Sequence, residues 1–455
     1  MLEQLAQAVR DGAVSPVDLV EESFRRIDEA NGALNAVVAR RDDEVLTEAA
    51  THGRTGPLAG LPLLVKDMAR CAGWTTTFGS SLYADAPPDE FDDIVVARLR
   101  AAGAIVVGRS NTPAFGHAPF TTNDVFGPTR NPWNLERSPG GSSGGSAAAL
   151  AAGLVPLATT SDGGGSVRIP SSACGLVGWK PTMGAVGRNV LPRWLEFSTQ
   201  GVAGHTVADV VLQARVIMGT APGDWLSVPA GTAEVEPSAP ARVLACRSFR
   251  AGVDPVVEAA YRSTLDALAD GGIAIESVDA PSSSSDLMDW FVMAAAELAQ
   301  SLGEYRDRWD GFEPSLRDQV LFGEAVTATD YLAAQRRRHE LGARIDHLVG
   351  DDAVLALPTL NVQSWPPEGP VPVWLDSVKD PTIATNTPEL NASGHPAVSV
   401  PIGVDDVGVP FGLQIVGPRF RDGLALGLAQ LLERVRPWPM VAPGYVPFDL
   451  DHIVT

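Results

Sequence analysis

Two serine- and glycine-rich segments contain the residue types best suited to chemistry. The first is Pro139-Gly140-Gly141-Ser142-Ser143-Gly144-Gly145-Ser146, and the second is Ser161-Asp162-Gly163-Gly164-Gly165-Ser166-Val167-Arg168. In the second segment, three glycines leave backbone N–H groups unobstructed immediately before a serine, as an oxyanion hole requires. A tight glycine turn is the structural alternative. The pattern favours acyl-transfer chemistry on a serine.

A serine nucleophile needs a base, and the sequence offers a lysine for that role. No histidine lies near either segment, so a Ser-His-Asp triad has no support. Lys66 ends the apolar, strand-like run Leu61-Pro62-Leu63-Leu64-Val65. Burial at the end of such a strand would lower the pKa of the lysine and make its neutral amine accessible. A solvated lysine at a strand end is the simpler alternative.

Other uses of these residue types fit less well. A glycine-rich turn can hold phosphate, but no lysine follows the glycines and no G-x-G-x-x-G pattern is present, which argues against a nucleotide site. The histidines are scattered, and Cys71, Cys174 and Cys246 are widely spaced. This spacing fits neither a disulfide framework nor zinc, so we expect buried free thiols, no metal and no cofactor.

The charge balance restricts the partners. The 455 residues include 34 basic and 55 acidic ones, for a formal charge of -21 without a continuous basic stripe. Polyanions are repelled by such a chain, so nucleic acid is not expected as a partner. The first residues lack a signal-peptide pattern, and no apolar run reaches the roughly 20 residues of a membrane span. We expect a cytoplasmic protein with no membrane partner.

The elements around these segments alternate between helix and strand. Residues 2–11 have helical apolar spacing, and Ser15-Pro16-Val17-Asp18 predicts the start of a second helix. A helix from Asp92 is followed by the strand Ala104–Val107, and further helices are predicted around 255–268 and 329–348, with a strand at 242–246. The alternation favours an α/β sheet covered by helices.

The two segments and their surroundings resemble the amidase signature family. The resemblance continues through Cys174–Thr182, Asn123–Asn134 and Gly412–Pro418, and the 24-residue interval between Ser142 and Ser166 agrees with the family pattern. It covers nearly the whole chain. It implies one α/β/α sandwich domain at 1–455, with a central mixed β-sheet covered by helices on both faces. Within it we expect a helical segment (1–60), a signature core (61–220), a variable substrate-pocket region (221–400) and a C-terminal completion of the core (401–455).

The resemblance also implies roles for individual residues. It makes Ser166 the nucleophile, Ser142 a bridging serine after a cis Gly141–Ser142 bond, and Lys66 the base. The implied oxyanion hole consists of Gly163, Gly164, Gly165 and Ser166. Gly116 is implied to line the substrate site with its carbonyl group, and Ser143, Asp162 and Arg168 to support the loop. Aromatic residues could line an acyl or amine pocket or belong to the core: Phe115, Trp194, Phe197 and Trp290.

The implied reaction is hydrolysis of small amides, anilides or carbamates through an acyl-enzyme. Two departures from the family pattern are Gly163, where threonine is common, and His205, where arginine is usual. Carbamate hydrolysis as the main activity is one alternative. Another is the glutaminase subunit of a tRNA-dependent amidotransferase, although Ile169 stands where that subunit normally has glutamine. A silent binding protein is disfavoured by the intact Lys66, Ser142 and Ser166. The partner is expected to be a small-molecule substrate, and a homodimer is common among relatives.

Overall fold

The protein is described by a computed structural model that covers residues 1–375, 378–379 and 383–453. Residues 376–377, 380–382 and 454–455, which fall in the predicted segments 221–400 and 401–455, lie outside the described residues. The predicted division of the chain into segments stays a prediction.

Within the described residues, eleven strands form one mixed sheet in the order β1-β3-β2-β4-β6-β5-β12-β13-β9-β7-β8. The pairs of β2 with β3 and β4, and of β7 with β8 and β9, are parallel, and the other neighbours are antiparallel. A separate ribbon joins β10 to β11. The strands are β1 (Val37–Ala39), β2 (Pro62–Lys66), β3 (Ile105–Ser110), β4 (Leu157–Asp162), β5 (Val177–Lys180), β6 (Thr199–Gly204), β7 (Arg242–Ala245), β8 (Ile275–Ser277), β9 (Ala353–Pro358), β10 (Trp374–Leu375), β11 (Val378–Lys379), β12 (Ala397–Val404) and β13 (Pro410–Val416).

Along the chain, helices precede, separate and follow these strands. They are α1 (Leu2–Arg10), α2 (Pro16–Leu34), α3 (Asp42–Thr51), α4 (Ile94–Ala101), α5 (Gly144–Ala151), α6 (Arg168–Cys174), α7 (Val207–Ile217), α8 (Pro255–Asp270), α9 (Ser284–Ser301), α10 (Pro314–Ala325), α11 (Ala328–Val349), α12 (Pro388–Ala392), α13 (Asp422–Val435) and α14 (Leu450–Ile453), with 3-10 helices at Ala114–Gly116 and Gly303–Gly311. The predicted start of α2 is confirmed, because Ser15 and Asp18 form a reciprocal capping box.

The α/β/α sandwich is confirmed, and β5 shows why helices cover both faces of the sheet. Successive side chains of a strand point to opposite faces. A Cβ atom on Gly178 would meet Ser171 of α6, whereas the indole Nε1 of the next residue, Trp179, donates to Asp422 of α13. These two helices therefore pack on opposite faces of the sheet.

The strand that carries Lys66 and its parallel neighbour β3 are buried along their whole length. Every residue of β2 and β3 is buried, as expected for central parallel strands covered on both sides. The predicted strand Ala104–Val107 is confirmed as part of β3, and the run that ends at Lys66 is confirmed as β2. The three cysteines are free and buried, as predicted.

Candidate active site

The predicted catalytic residues meet where parallel strands end. Lys66 is the last residue of β2, and its parallel neighbour β4 ends at Asp162. Loops at the carboxyl edge of parallel strands are the usual position of ligand sites in α/β folds. Ser142 precedes α5 and Ser166 precedes α6, so both serines enter the site from turns that lead into helices.

Lys66 is buried and surrounded by hydroxyl groups. Its side chain is 1% exposed, and Nζ donates to Ser142 Oγ at 2.7 Å, Ser143 Oγ at 2.9 Å and Ser161 Oγ at 3.1 Å. Burial lowers the pKa of Lys66 to about 7, although the negative charge of Asp162 acts in the opposite direction. A substantial fraction of this lysine is therefore neutral near pH 7 and able to accept a proton.

The two serines are placed differently with respect to the lysine. Ser142 follows a cis peptide bond at Gly141–Ser142, and its hydroxyl accepts from Lys66. Ser166 is 8% exposed, and its hydroxyl makes no hydrogen bond with any other described residue. Both side chains line the same cavity. The Ser166 hydroxyl is thus open to an incoming molecule, and catalytic hydrogen bonds commonly tighten only when substrate is bound.

A buried ion pair holds the loop before Ser166. Arg168 Nη2 donates to Asp162 Oδ1 at 2.9 Å, and both side chains are 0% exposed. Burial alone would raise the pKa of Asp162, but the Arg168 guanidinium outweighs it and holds the pKa well below its usual range. The same carboxylate accepts the backbone N–H groups of Gly165 at 2.7 Å and Val167 at 3.1 Å. The Gly165 N–H is therefore occupied and is not free for a ligand.

The remaining N–H groups of this loop are free. Among the described residues, the N–H groups of Gly163, Gly164 and Ser166 have no hydrogen-bond acceptor. The carbonyl groups of the two glycines are fixed instead: Trp290 Nε1 donates to Gly163 O at 3.0 Å, and Thr387 Oγ1 donates to Gly164 O at 2.7 Å. The Gly163 carbonyl lies in the same peptide plane as the Gly164 N–H, so the hydrogen bond from Trp290 fixes the direction of that free donor. The hydrogen bond from Thr387 fixes the plane of the Gly165 N–H, which already donates to Asp162.

The two glycines also leave room for indole rings. A Cβ atom on Gly163 would lie 2.3 Å from Trp194, and one on Gly164 would lie 2.5 Å from Trp290. Real Cβ contacts are never this short, so a side chain at either position would displace an indole. The departure at Gly163, where the family often has threonine, is thereby explained: the missing side chain makes room for Trp194.

Gly116 lies next to Ser142 and lines the same cavity. It ends a 3-10 helix with φ of 72°, and a Cβ atom there would lie 2.8 Å from the Met68 sulfur and 3.2 Å from Ser142 Oγ. Its carbonyl oxygen accepts no hydrogen bond from the described residues. That oxygen is therefore free to accept a hydrogen bond from a substrate.

Two cavities meet at Ser166. The Lys66 cavity, of about 290 Å³, is lined by Lys66, Ser142 and Ser166, and the Trp290 cavity, of about 430 Å³, is lined by Ser166, Ile169 and Trp290. Cavities of this size suit small molecules. Of the predicted aromatic candidates, Phe115, Trp194 and Trp290 line one or both cavities. Phe197 lines neither and belongs to a buried cluster with Leu298.

Sequence reasoning missed three polar contacts of the site. Ser161 is the first residue of the second glycine segment, and its hydroxyl accepts from Lys66. Its position in that segment was a usable signal. Trp290 and Thr387 reach the loop from more than 120 residues away in sequence. Neither lies in a local pattern that could have identified its contact.

The part of the chain that the structure describes contains neither a group of metal ligands nor a membrane-spanning helix. No group of three histidine, cysteine or acidic side chains is arranged there to bind a metal ion. No described helix combines the length and apolar character needed to span a bilayer.

Comparison with known proteins finds relatives along nearly the whole chain. The sequence profile of the family described as Amidase matches residues 18–426. The acylamidase of Rhodococcus erythropolis is 35% identical over 97% of this chain and 96% of that protein. A glutamyl-tRNA(Gln) amidotransferase subunit of Roseiflexus sp. (strain RS-1) is 31% identical over 96% of both chains. A bacterial aryl acylamidase of the amidase signature enzymes superposes with a TM-score of 0.88 at 27% identity over 95% of both chains.

Proposed function

Because this chain belongs to the amidase family, we propose that Ser166 is the nucleophile with which it hydrolyses small amides, anilides or carbamates through an acyl-enzyme. Hydrolysis of amide C–N bonds is the activity of the family, and the chain is an amide hydrolase of this kind. The observation that carries the mechanism is the 2.7 Å hydrogen bond between the buried Lys66 Nζ and Ser142 Oγ.

The proton relay follows from the pKa of the lysine. Neutral Lys66 accepts the Ser142 proton, and Ser142 accepts the proton of Ser166 as that oxygen attacks the carbonyl carbon. The relay then returns a proton through Ser142 to the leaving nitrogen, because an amine anion is a poor leaving group. Water hydrolyses the ester formed on Ser166 by the same route, and the enzyme is restored.

The oxyanion is stabilised by the backbone of the glycine loop. The free N–H groups of Gly163, Gly164 and Ser166 are the proposed donors, and Gly165 takes part indirectly, because its N–H ties the loop to Asp162. Loss of one such donor typically costs about 3 to 4 kcal/mol of transition-state stabilisation. Arg168, Asp162 and Thr387 act through the loop rather than on the substrate. Trp290 holds the loop and also lines a cavity that reaches Ser166.

The names of two relatives favour anilides and other small N-acyl amines as substrates. Two similar proteins are called acylamidase and aryl acylamidase. The Trp290 cavity gives an apolar acyl group a place beside Ser166. Carbamates present the same carbonyl geometry to the nucleophile, so a urethanase activity is the alternative within this chemistry.

A second candidate function is the glutaminase half-reaction of an amidotransferase. It is favoured by relatives named as glutamyl-tRNA(Gln) amidotransferase subunits, which match nearly the whole chain. Against it, the apolar Ile169 occupies the position after Arg168 and lines the Trp290 cavity, where such subunits normally have glutamine. We therefore keep hydrolysis of small amides as the main proposal.

The test is release of nitroaniline from an N-acyl 4-nitroanilide and from the matching alkyl carbamate, with wild type and Ser166→Ala. We expect release by wild type, with the preferred compound separating amidase from urethanase, and almost none by Ser166→Ala. Mass spectrometry should find the acyl group on Ser166. Release of ammonia from glutamine without nitroaniline release would favour the second candidate, and activity that survives Ser166→Ala would refute the mechanism.

A further inference from the structure

Arg193 is a cation on the wall of the Lys66 cavity, held by aromatic rings. Its guanidinium carbon lies 4.7 Å from the ring centroid of Phe115, 4.9 Å from that of Phe78 and 5.9 Å from that of Tyr83. Rings fix such a group through its face and leave the N–H donors at its edge. Within the described residues, Arg193 has neither a hydrogen bond nor an ion pair, and its nitrogen atoms are not sealed from solvent.

Two of the rings that hold Arg193 belong to residues with an unusual backbone conformation. Phe78 and Phe115 both have φ of 53°, and the N–H of Phe115 donates to the carbonyl of Phe78 at 2.8 Å. Left-handed backbone is rare for large side chains and concentrates at functional sites. Two such residues, joined by a hydrogen bond and facing one guanidinium, indicate that the position of this cation is specified.

The neighbouring arginines of the cavity are already neutralised. Arg70 pairs with Asp89 at 2.8 Å, and Arg188 pairs with Asp224 at 3.3 Å. Arg193 is therefore the arginine of this cavity, among the described residues, that retains an unpaired charge. In a chain with a net charge of -21, an unpaired arginine in a cavity that Ser166 also lines calls for an anionic partner from the substrate.

One acidic side chain shares the cavity without cancelling this charge. Asp93 lines the same cavity, but its Oδ2 accepts the backbone N–H of Arg70 at 3.1 Å and its Oδ1 is buried without a partner. No ion pair joins Asp93 to Arg193 in the described part of the chain.

The position of the relay decides which half of the substrate meets Arg193. Ser166 lines both cavities, whereas Lys66 and Ser142 line the Lys66 cavity and not the Trp290 cavity. Ser142 delivers the proton to the leaving nitrogen, so the amine half must extend into the Lys66 cavity. The acyl half then lies in the Trp290 cavity, against Ile169, Met288 and Phe291.

On the basis of the proposed function, we propose that the enzyme acts on N-acyl amines whose amine half carries a carboxylate, such as N-acyl amino acids or N-acylaminobenzoates, and that Arg193 binds this carboxylate. The planar guanidinium offers two parallel N–H groups to both carboxylate oxygens. The amide C–N bond breaks, the carbonyl carbon bonds to Ser166 and then to water oxygen, and the amine leaves protonated with its carboxylate unchanged.

Three chromogenic substrates with one acyl length test this inference. They are butanoyl 4-nitroanilide, its 3-carboxy-4-nitroanilide analogue, and glutaryl 4-nitroanilide, which has its carboxylate on the acyl half. We expect wild type to favour the 3-carboxy compound over the neutral one in kcat/KM by about 10- to 100-fold, mainly through KM, as charge-assisted hydrogen bonds would give. Arg193→Gln should remove most of that ratio, and Arg193→Lys only part of it. Arg70→Gln, which alters a paired arginine of the same cavity, should leave the ratio close to that of wild type.

The outcomes separate the inference from the function on which it rests. No nitroaniline release from any of the three compounds would overturn the inference, and no release from the alkyl carbamate as well would overturn the proposed function. Release without preference for the 3-carboxy compound, preference for the glutaryl compound, or a ratio insensitive to Arg193→Gln would overturn the inference alone. Wild type gives a second test if the variants do not fold: 5-amino-2-nitrobenzoate, the carboxylated product, should inhibit at about tenfold lower concentration than 4-nitroaniline. Equal inhibition would also overturn the inference.

Discussion

Two lysines of the sheet have almost the same burial and pKa but different hydrogen-bond partners. Lys66 ends β2 and Lys180 ends β5, and both are essentially unexposed. Burial lowers the pKa of each to about 7, helped in Lys180 by the positive charge of Arg168. By burial and pKa alone, either lysine could be the base of the reaction.

Their hydrogen-bond partners separate them. Lys66 donates to three hydroxyl groups, of which Ser142 and Ser161 line the Lys66 cavity. Lys180 donates to the carbonyl of its neighbour Pro181 at 2.7 Å and lines neither cavity. Burial can give a lysine a pKa near neutrality, but only contact with a hydroxyl that faces the substrate gives the neutral amine a proton to accept.

The largest expected effect comes from exchanging each lysine for methionine. Lys66→Met should lower kcat on a nitroanilide by about 10⁴-fold, because it removes the base of a relay whose members act as a unit. Lys180→Met should change kcat by less than about tenfold, because Lys180 touches no hydroxyl of the relay. Steady-state kinetics on both variants, with circular dichroism to verify folding, measures the contrast. Equal losses in the two folded variants would break the comparison.

Two of the three serines that accept from Lys66 sharpen the comparison further. Ser142→Ala should lower kcat by about 10²- to 10⁴-fold, because it interrupts proton transfer between Lys66 and the nucleophile. Ser143→Ala removes a hydroxyl that accepts from Lys66 and donates to the carbonyl of Ser161 at 3.3 Å, outside the cavity lining. We expect a loss of less than about tenfold there. If Ser143→Ala proved the more damaging, the proton route through Ser142 would be wrong.

The pH dependence should belong to Lys66 alone. The base acts as the neutral amine, so kcat/KM should be constant above a pKa of about 7 and fall as pH drops through it, since protonation removes the acceptor. The decline should be about tenfold per pH unit below that value. Lys180→Met should retain the same inflection. Loss of the inflection in Lys180→Met would show that the titrating group is Lys180 and not Lys66.

The smallest effect on turnover accompanies an effect on stability. Lys180 attracts the buried carboxylates of Asp162 and Asp422. We expect Lys180→Met to lower the free energy of unfolding by about 1 to 3 kcal/mol, because those carboxylates lose a nearby positive charge. Urea denaturation measures this. Unchanged stability together with a large loss of kcat would give Lys180 a catalytic role instead.

The sequence could predict the parts of the site that lie in local patterns. The apolar run before Lys66 predicts a buried strand end, and the glycines before Ser166 predict free backbone donors, because both signals lie within ten residues. The contacts of Trp290 with Gly163 and of Thr387 with Gly164 arise only when distant elements pack on the loop. The occupied N–H of Gly165 depends likewise on the direction of the Asp162 carboxylate, which composition does not encode.

Arg193 is another residue whose surroundings the sequence could not predict. In the sequence it is one arginine of a loop, and nothing in its neighbours distinguishes it from the paired Arg188 five positions earlier. The aromatic rings around it are those of Phe78, Tyr83 and Phe115, which lie on other parts of the chain. Only the fold shows that this cation lines the same cavity as Ser166 and has no counter-charge among the described residues.

The most direct test of the account is the rate at which a fluorophosphonate labels Ser166 as a function of pH, in wild type and Lys66→Met. The reagent expels fluoride, so its rate reports activation of the nucleophile without protonation of a leaving amine. We predict labelling of Ser166, a wild-type rate that rises with pH to a plateau above about 7, and a rate at least about 10³-fold lower in Lys66→Met without that inflection. Labelling of another residue, or a wild-type rate in Lys66→Met, would contradict the Lys66–Ser142–Ser166 relay.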